Sequence, residues 1–172
     1  FVVRRVEGDI EENREQILAF ADDIYHHAEL GYKEFRTSEK FADIMKQHLS
    51  HVDEHLAVTG VKAYLNEDRK EQFSLALLGE MDALKIPNHI YAVPETGAAH
   101  CCGHHAQLAG VVGAMLALTD PEIADKLDGQ VIFFATPAEE YGEVEFKKSL
   151  MQEGKIQYGG GKCELIRIGA FD

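Results

Sequence analysis

The sequence has few of the residues and patterns that mark a disulfide-rich or membrane-spanning protein. None of its 172 residues is tryptophan, four are proline and three are cysteine. Two of the cysteines are adjacent and the total is odd, so we expect no disulfide framework and a reducing, cytoplasmic location. No stretch approaches the roughly 20 consecutive apolar residues that a membrane span requires. We therefore expect no membrane partner.

Basic residues are also scarce. The chain has 17 Lys and Arg against 30 Asp and Glu, a formal net charge of -13. Because nucleic-acid affinity depends on clustered Lys and Arg, this balance argues against a nucleic-acid partner. Hydrophobic residues make up 45% and charged residues 27% of the chain, which is typical of a folded domain large enough to bury a core.

The spacing of the apolar residues predicts several helices. One is expected over about 9–28, with a capping box formed by Asp9 and Glu12 and a stop at Gly31. A second starts at a Thr37 cap and ends before 48–55, which is interpreted as a loop. Its apolar stripe consists of Phe41, Ile44, Met45 and Leu49. Further helices are expected over 107–118, packed closely through Gly110 and Gly113, over 121–127 and over 143–152, with a glycine loop at 159–161.

Three short apolar runs predict strands, at 61–65, 73–78 and 130–136. The last two are apolar almost throughout, which is typical of strands that are buried on both faces. Together with the helices between and after them, they predict an α/β fold with a layered mixed or parallel sheet and helices on both faces.

Polar clusters stand where such a sheet places its ligands, beyond the carboxyl ends of the strands. Two of them, at 79–84 and 137–140, follow the second and third strands, and a third, at 100–105, precedes the helix predicted at 107–118. Helix N-termini and strand C-termini meet at the same edge of the sheet, so we expect the three clusters to converge on one cleft.

These clusters contain a plausible set of metal ligands. Cys102 and His104 are a soft and a borderline ligand, while Glu139 and Glu140 offer one carboxylate to a metal and one to act as a base. Each feature alone has a plainer interpretation, because free cysteine packs as a small hydrophobe, histidine is common at helix starts and a Glu pair is common in solvated loops. Their joint placement after strands favours one metal-dependent hydrolase site.

Three motifs are shared with a known family: His-x-Cys-Gly-His at 100–104, Gly-Glu-Met-Asp-Ala-Leu at 79–84 and Pro-Ala-Glu-Glu at 137–140. Together they resemble the aminoacylase-type zinc metallopeptidases, in particular the amidohydrolase branch of auxin-conjugate, hippurate and aminobenzoyl-glutamate hydrolases. Segments 28–34, 36–38 and 59–61 add to the resemblance, which runs from about residue 13 to the end.

The resemblance implies a role for each of five residues. Cys102, His104 and Glu140 would be metal ligands for one or two divalent ions, zinc or else manganese or cobalt. Glu139 would be the general base, and Asp82 would orient a ligand imidazole. The implied reaction is hydrolysis of an amide in an N-acyl or aryl amino-acid conjugate or a small peptide. The resemblance also implies a homodimeric enzyme with a zinc-exopeptidase-like catalytic domain.

Three positions depart from the family pattern. Ala28 replaces the usual proline, His105 stands where Asp or Asn is typical, and Gln107 stands where many members have histidine. The absence of that histidine, together with Glu80, points to the aminobenzoyl-glutamate side of the branch.

Family members are longer than this chain. The resemblance therefore implies that 1–172 is the N-terminal part of a catalytic domain, without the inserted dimerisation domain and the remaining catalytic segment. With three ligands, the chain alone is expected to bind metal weakly, to hydrolyse no amide and to self-associate through uncovered sheet at 74–78 or 131–134. The alternative is a truncated, catalytically inactive relative that binds a metal weakly or has no function.

The other histidines and cysteines have structural interpretations. Solvated positions are expected for His26, His27, His48, His51, His55 and His89. Cys101 is expected to have a packing role and not to be a nucleophile, because a cysteine hydrolase also needs a positioned histidine and an oxyanion hole, and Cys163 is expected to be structural.

Overall fold

The computed structural model describes residues 2–172, in which three helices are followed by five strands, two helices, a sixth strand and two final helices. The helices are α1 (Val2–Glu12), α2 (Arg14–His26), α3 (Phe35–His48), α4 (His104–Leu118), α5 (Pro121–Ala124), α6 (Val144–Gln152) and α7 (Gly161–Arg167). The strands are β1 (His51–Leu56), β2 (Gly60–Leu65), β3 (Ser74–Glu80), β4 (Leu84–Lys85), β5 (Ala98–Ala99) and β6 (Gln130–Thr136), and a short 3-10 turn covers Glu67–Arg69.

The main sheet has the strand order β1-β2-β6-β3. Strand β2 runs antiparallel to both β1 and β6, whereas β3 runs parallel to β6. A separate two-stranded ribbon joins β4 to β5. The predicted α/β class with a mixed sheet is therefore confirmed.

Helices cover both faces of the sheet, as predicted, but unequally. Helices α2, α3 and α4 bury the larger core, in which Phe20, Phe41 and Met115 pack with Val61 and Phe133. Helix α4 is apolar on almost its whole surface because it lies between the sheet and helices α1 and α2.

The opposite face carries a smaller cluster, in which Leu165 of α7 packs with Ile132 and Phe134. This helix was not predicted, because its sequence was interpreted only as the end of a glycine loop at 159–161.

The two apolar strands differ in burial. All seven residues of β6 are buried, as predicted. The expectation that 73–78 is buried on both faces is wrong, since β3 pairs only with β6 within residues 2–172 and leaves Leu75 52% and Leu78 40% exposed. Uncovered apolar sheet surface is therefore found at 74–78 and not at 131–134.

The helix predicted over 9–28 is two helices, divided at Asn13. The capping box at Asp9 is wrong, because Asp9 lies inside α1, where its carboxylate is 3.4 Å from the Arg5 guanidinium one turn earlier. The Asn13 side chain donates a hydrogen bond to the Asp9 carbonyl at 2.8 Å. Helix α2 ends at His26, before Gly31.

Helix α3 begins before Thr37, which does not cap it. The Thr37 amide and hydroxyl both donate to the Glu29 carboxylate, at 2.8 and 2.9 Å. A carboxylate from the preceding segment thus satisfies the free amides at the start of the helix. The predicted stripe is confirmed, with Phe41, Met45 and Leu49 buried and Ile44 partly buried.

Several other boundaries also shift. The segment interpreted as a loop at 48–55 contains β1, so that prediction is wrong. Helix α4 begins three residues before the predicted start, and it packs against Ile17 through Gly113, whereas Gly110 is exposed with no close neighbour. Within residues 2–172, no helix is both long and apolar enough to cross a membrane.

Candidate active site

The three polar clusters meet at the carboxyl edge of the sheet. Glu80 ends β3 and lies opposite Thr136, which ends β6, so the segments that follow these parallel strands emerge side by side. Helix α4 begins at His104, beside the same edge. The structure therefore brings together all five residues to which the sequence resemblance assigned a role.

His104 lies at the centre of the site and is 1% exposed. Its Nδ1 donates a hydrogen bond to the main-chain carbonyl of Asp82 at 2.7 Å. A carbonyl oxygen can only accept, so the proton of a neutral ring is on Nδ1 and the lone pair is on Nε2. Nε2 lies 3.0 Å from a Glu80 oxygen and 3.8 Å from a Glu139 oxygen.

This environment favours a positive charge. Burial lowers the pKa of His104, but hydrogen bonds to Asp82 and the charges of Asp82 and Glu80 outweigh that effect and raise the pKa to about 9. Carboxylates around a buried imidazole thus stabilise a cation at this position.

Cys102 and Glu140 complete a group with His104. One potential ligand atom from each of the three residues lies within 4.8 Å of the others. A hydrogen bond to the Glu140 carboxylate raises the pKa of the exposed Cys102 thiol, with smaller contributions from desolvation and from Glu139 and Glu80. The surrounding carboxylates thus disfavour the thiolate unless a cation is bound beside it.

Asp82 connects the two halves of the site. Its Oδ2 accepts a hydrogen bond from the Glu140 amide at 2.8 Å. Its Oδ1 is buried, has no aligned hydrogen-bond partner and lies 3.3 Å from His104 Nδ1. The Asp82 carboxylate is therefore placed to polarise the His104 imidazole if that ring binds a metal. The sulfur of Cys102, the nitrogen of His104 and the oxygen of Glu140 are donors that suit a borderline metal such as zinc. The donor set therefore fits a divalent transition-metal ion.

The loop that carries Glu139 and Glu140 is held by a second buried carboxylate, which sequence reasoning missed. Glu34 accepts from the Ala138 amide at 2.8 Å and from the Thr59 hydroxyl at 2.7 Å. Ala138 has a φ of 47°, a left-handed conformation that is uncommon for a residue with a side chain. The hydrogen bond from the Ala138 amide to Glu34 helps to hold this conformation. Burial raises the pKa of Glu34 to about 7, although the two hydrogen bonds oppose this effect.

Gly161 lets α7 pack against this same loop. A Cβ atom there would lie 1.7 Å from the Pro137 carbonyl oxygen, so only glycine fits. The Gly161 amide donates to the Ala138 carbonyl at 2.9 Å. The glycine run and the segment at 28–34 were the only signals in the sequence for these supports.

Two lysines reach the site from the C-terminal helices. Lys147 on α6 is buried and donates to the Glu140 carbonyl at 2.7 Å, and its burial lowers its pKa. Lys162 on α7 forms an ion pair with Glu80. Neither lysine was predicted to contribute to the site.

The remaining histidines lie mostly where they were expected. His26, His27, His48 and His55 are exposed, while half-buried His51 pairs with Glu67 at 2.8 Å. Cys101 and Cys163 are both exposed, so the packing role expected for Cys101 is wrong.

Comparison with known proteins identifies a family to which the sequence is similar. The sequence profile of Peptidase family M20/M25/M40 matches residues 76–163. Thermostable carboxypeptidase 1 of Saccharolobus solfataricus is 25% identical over 156 residues, which cover 89% of this chain and 39% of that protein. N-acetyldiaminopimelate deacetylase of Bacillus subtilis is 25% identical over 130 residues, which cover 73% of this chain and 33% of that protein.

A solved structure shares the fold. A Bacillus subtilis protein described as a dinuclear metal binding peptidase from the M20 family superposes with a TM-score of 0.63 at 24% identity, covering 84% of this chain and 40% of the other. The chain therefore spans about two fifths of the length of relatives such as the carboxypeptidase.

Proposed function

The chain belongs to the Peptidase family M20/M25/M40, and from that premise we propose that the whole protein is a metal-dependent hydrolase. Its substrate would be an amide bond in an N-acyl or aryl amino-acid conjugate or a small peptide. One observation carries the proposal: a thiol, a buried imidazole and a carboxylate have ligand atoms within 4.8 Å of one another at the carboxyl edge of the sheet.

Cys102, His104 and Glu140 would hold one or two ions of zinc, manganese or cobalt. When bound, such an ion supplies a Lewis acid that allows water to be activated near neutral pH. Asp82 would keep the His104 proton on Nδ1 and so present Nε2 as a ligand, which is the usual task of a carboxylate beside a ligating histidine.

Glu139 would be the general base. Its side chain is 37% exposed and lies 3.8 Å from His104 Nε2, so a substrate and a water could reach its carboxylate. One carboxylate oxygen would take a proton from water and later pass it to the leaving amine. Neighbouring Glu140 would remain a ligand, since its amide is tied to Asp82 at 2.8 Å.

The substrate is proposed to resemble an aryl amino-acid conjugate such as an aminobenzoyl-glutamate. The two residues that suggested this side of the branch are in contact, because Gln107 Oε1 accepts from the Glu80 amide at 3.3 Å.

The described chain would be the first part of a catalytic domain. The rest of that domain and an inserted dimerisation domain would belong to the longer protein, which we propose is a homodimer. The matched residues cover 39% of the carboxypeptidase, which supports this arrangement.

Expression of the whole protein from its gene tests the proposal. The enzyme should hydrolyse aminobenzoyl-glutamate or an N-acyl amino acid, lose activity after dialysis against a chelator and recover it with zinc, manganese or cobalt. Hydrolysis that survives complete removal of metal would contradict the proposal. A gene that ends at Asp172 and a product without activity would instead favour the truncated, inactive relative.

A further inference from the structure

We propose that Glu80 is a further metal ligand, so that this chain by itself offers four ligand side chains to one ion: Glu80, Cys102, His104 and Glu140. The inference rests on the proposed metal-dependent function and extends it. The sequence resemblance uses Glu80 only as a pointer to the aminobenzoyl-glutamate side of the branch, and it implies three ligands in this chain.

The first argument is the distance between Glu80 and His104. Glu80 Oε2 lies 3.0 Å from His104 Nε2, the nitrogen whose lone pair becomes available to an ion once the ring is neutral. Two ligand atoms that each lie about 2.0 to 2.2 Å from a zinc ion, at angles between 90° and tetrahedral, are separated by about 3.0 to 3.5 Å. The two atoms therefore already have the separation of neighbouring ligands.

The second argument is that two sets of potential ligands share one residue, His104. Cys102, His104 and Glu140 form one set, and Glu80, His104 and Glu139 form the other, each with ligand atoms within 4.8 Å of one another. Because Nδ1 of His104 is bonded to the Asp82 carbonyl, Nε2 is the nitrogen that an ion could use, and it can bind only one ion. An ion held by the first set through Nε2 would therefore lie beside the nitrogen that Glu80 contacts.

Glu80 is better placed than Glu139 to be the added ligand. The nearest Glu139 oxygen lies 3.8 Å from Nε2, and its side chain is 37% exposed against 13% for Glu80. Lys162 pairs with Glu80 Oε1 and leaves Oε2 facing His104. The more exposed Glu139 stays free to exchange a proton.

The elements that carry Glu80 and His104 are also docked closely. The Glu80 amide donates to Gln107 on α4, the helix that begins with His104. A Cβ atom at Gly79 would lie 3.1 Å from the Leu108 side chain and 3.2 Å from its main chain. This close approach of β3 to α4 fixes the spacing of the two ligands before an ion binds.

Lys162 makes the inference testable, because its charge and that of a bound metal compete for the same carboxylate. If Glu80 is a ligand, Glu80→Gln should weaken metal binding, whereas Lys162→Met should leave it unchanged or strengthen it by removing a nearby positive charge. If Glu80 serves only as the partner of Lys162, both substitutions should weaken binding to a similar extent.

The experiment is a cobalt(II) titration of the purified 172-residue chain, with a competing chelator to obtain Kd and the thiolate-to-cobalt absorption band to report Cys102. Loss of a partner outside the ligand set usually lowers metal affinity by about 10- to 100-fold, so Glu80→Gln should lower it at least tenfold, with a change in the visible cobalt bands. Glu80→Asp retains the charge but places the carboxylate oxygens farther from His104, so it should lower the cobalt affinity less than Glu80→Gln does. Circular dichroism checks that each variant is folded.

The outcomes separate this inference from the proposed function. Unchanged cobalt affinity in Glu80→Gln, or an equal loss in Glu80→Gln and Lys162→Met, would overturn the role of Glu80 while a Cys102-dependent band still supported the site. If the chain binds no cobalt, or if Cys102→Ser leaves the spectrum unchanged, both the inference and the proposed metal site fail.

Discussion

Glu34 offers a direct test of how the site is supported, because a buried carboxyl must couple the stability of the protein to pH. It is fully buried, and its pKa is raised from an ordinary 4.5 to about 7. Between these two values the folded chain holds a proton that the unfolded chain has released. The contribution of Glu34 to the free energy of unfolding is therefore fully present below pH 4.5 and falls as the pH rises towards 7. At 1.36 kcal/mol for each pH unit, the loss amounts to about 3 kcal/mol.

The substitution that isolates this effect is Glu34→Gln. Glutamine keeps an oxygen that can accept from the Ala138 amide, but it has no proton to release. We therefore expect the variant to match the wild type near pH 4.5 and to exceed its stability by up to about 3 kcal/mol at pH 8. The matched control is Glu145→Gln, which removes the same charge from a side chain that is 87% exposed.

The assay is urea unfolding of the metal-free chain across pH 4 to 8, followed by far-ultraviolet circular dichroism because the chain has no tryptophan. The free energy of unfolding of wild type and control should decline in parallel, while that of Glu34→Gln should decline less. Identical slopes for wild type and Glu34→Gln between pH 4.5 and 7 would refute the reasoning, since the carboxyl would then not ionise in that window.

Three further outcomes are expected. In the whole protein, Glu139→Gln should keep its metal by elemental analysis but lower kcat about 10²- to 10⁴-fold, and near-normal kcat would place the base elsewhere. Phe133→Ala, at a fully buried position, should lower the free energy of unfolding by about 3 to 5 kcal/mol in urea. The purified chain should self-associate through the edge of β3, and Leu75→Lys should shift it towards monomer in light scattering; a monomeric wild type would contradict this.

Local patterns were sufficient for the parts of the fold that depend on neighbouring residues. The unbroken apolar run at 130–136 predicted a fully buried strand, and the stripe from Phe41 to Leu49 predicted the inner face of α3; both are observed. The same reasoning failed for β3, because an apolar run does not reveal whether a strand has a neighbour on each side. It also failed at Asp9, where an ion pair with Arg5 competes with capping.

In the candidate site, too, the sequence predicted some contacts and missed others. The order of motifs along the chain indicated that Asp82, Cys102, His104, Glu139 and Glu140 would meet, because parallel strands end and the following helix begins at one edge of the sheet. The sequence could not indicate that Glu34 supports Ala138 across 104 positions, or that Lys162 pairs with Glu80 across 82. Such contacts depend on the packing of distant segments, which leaves no periodic signal.

The sequence by itself determined the family, the α/β class and the residue types available for chemistry, since these follow from motifs, composition and hydrophobic periodicity. Only the tertiary structure decided which nitrogen of His104 faces the cleft, through the carbonyl of Asp82. It also decided that Glu80 lies 3.0 Å from that nitrogen and that the Glu139–Glu140 loop is held by buried carboxylates. The physical reason is that burial and hydrogen-bond direction depend on where separate segments come into contact, and one-dimensional spacing does not record those contacts.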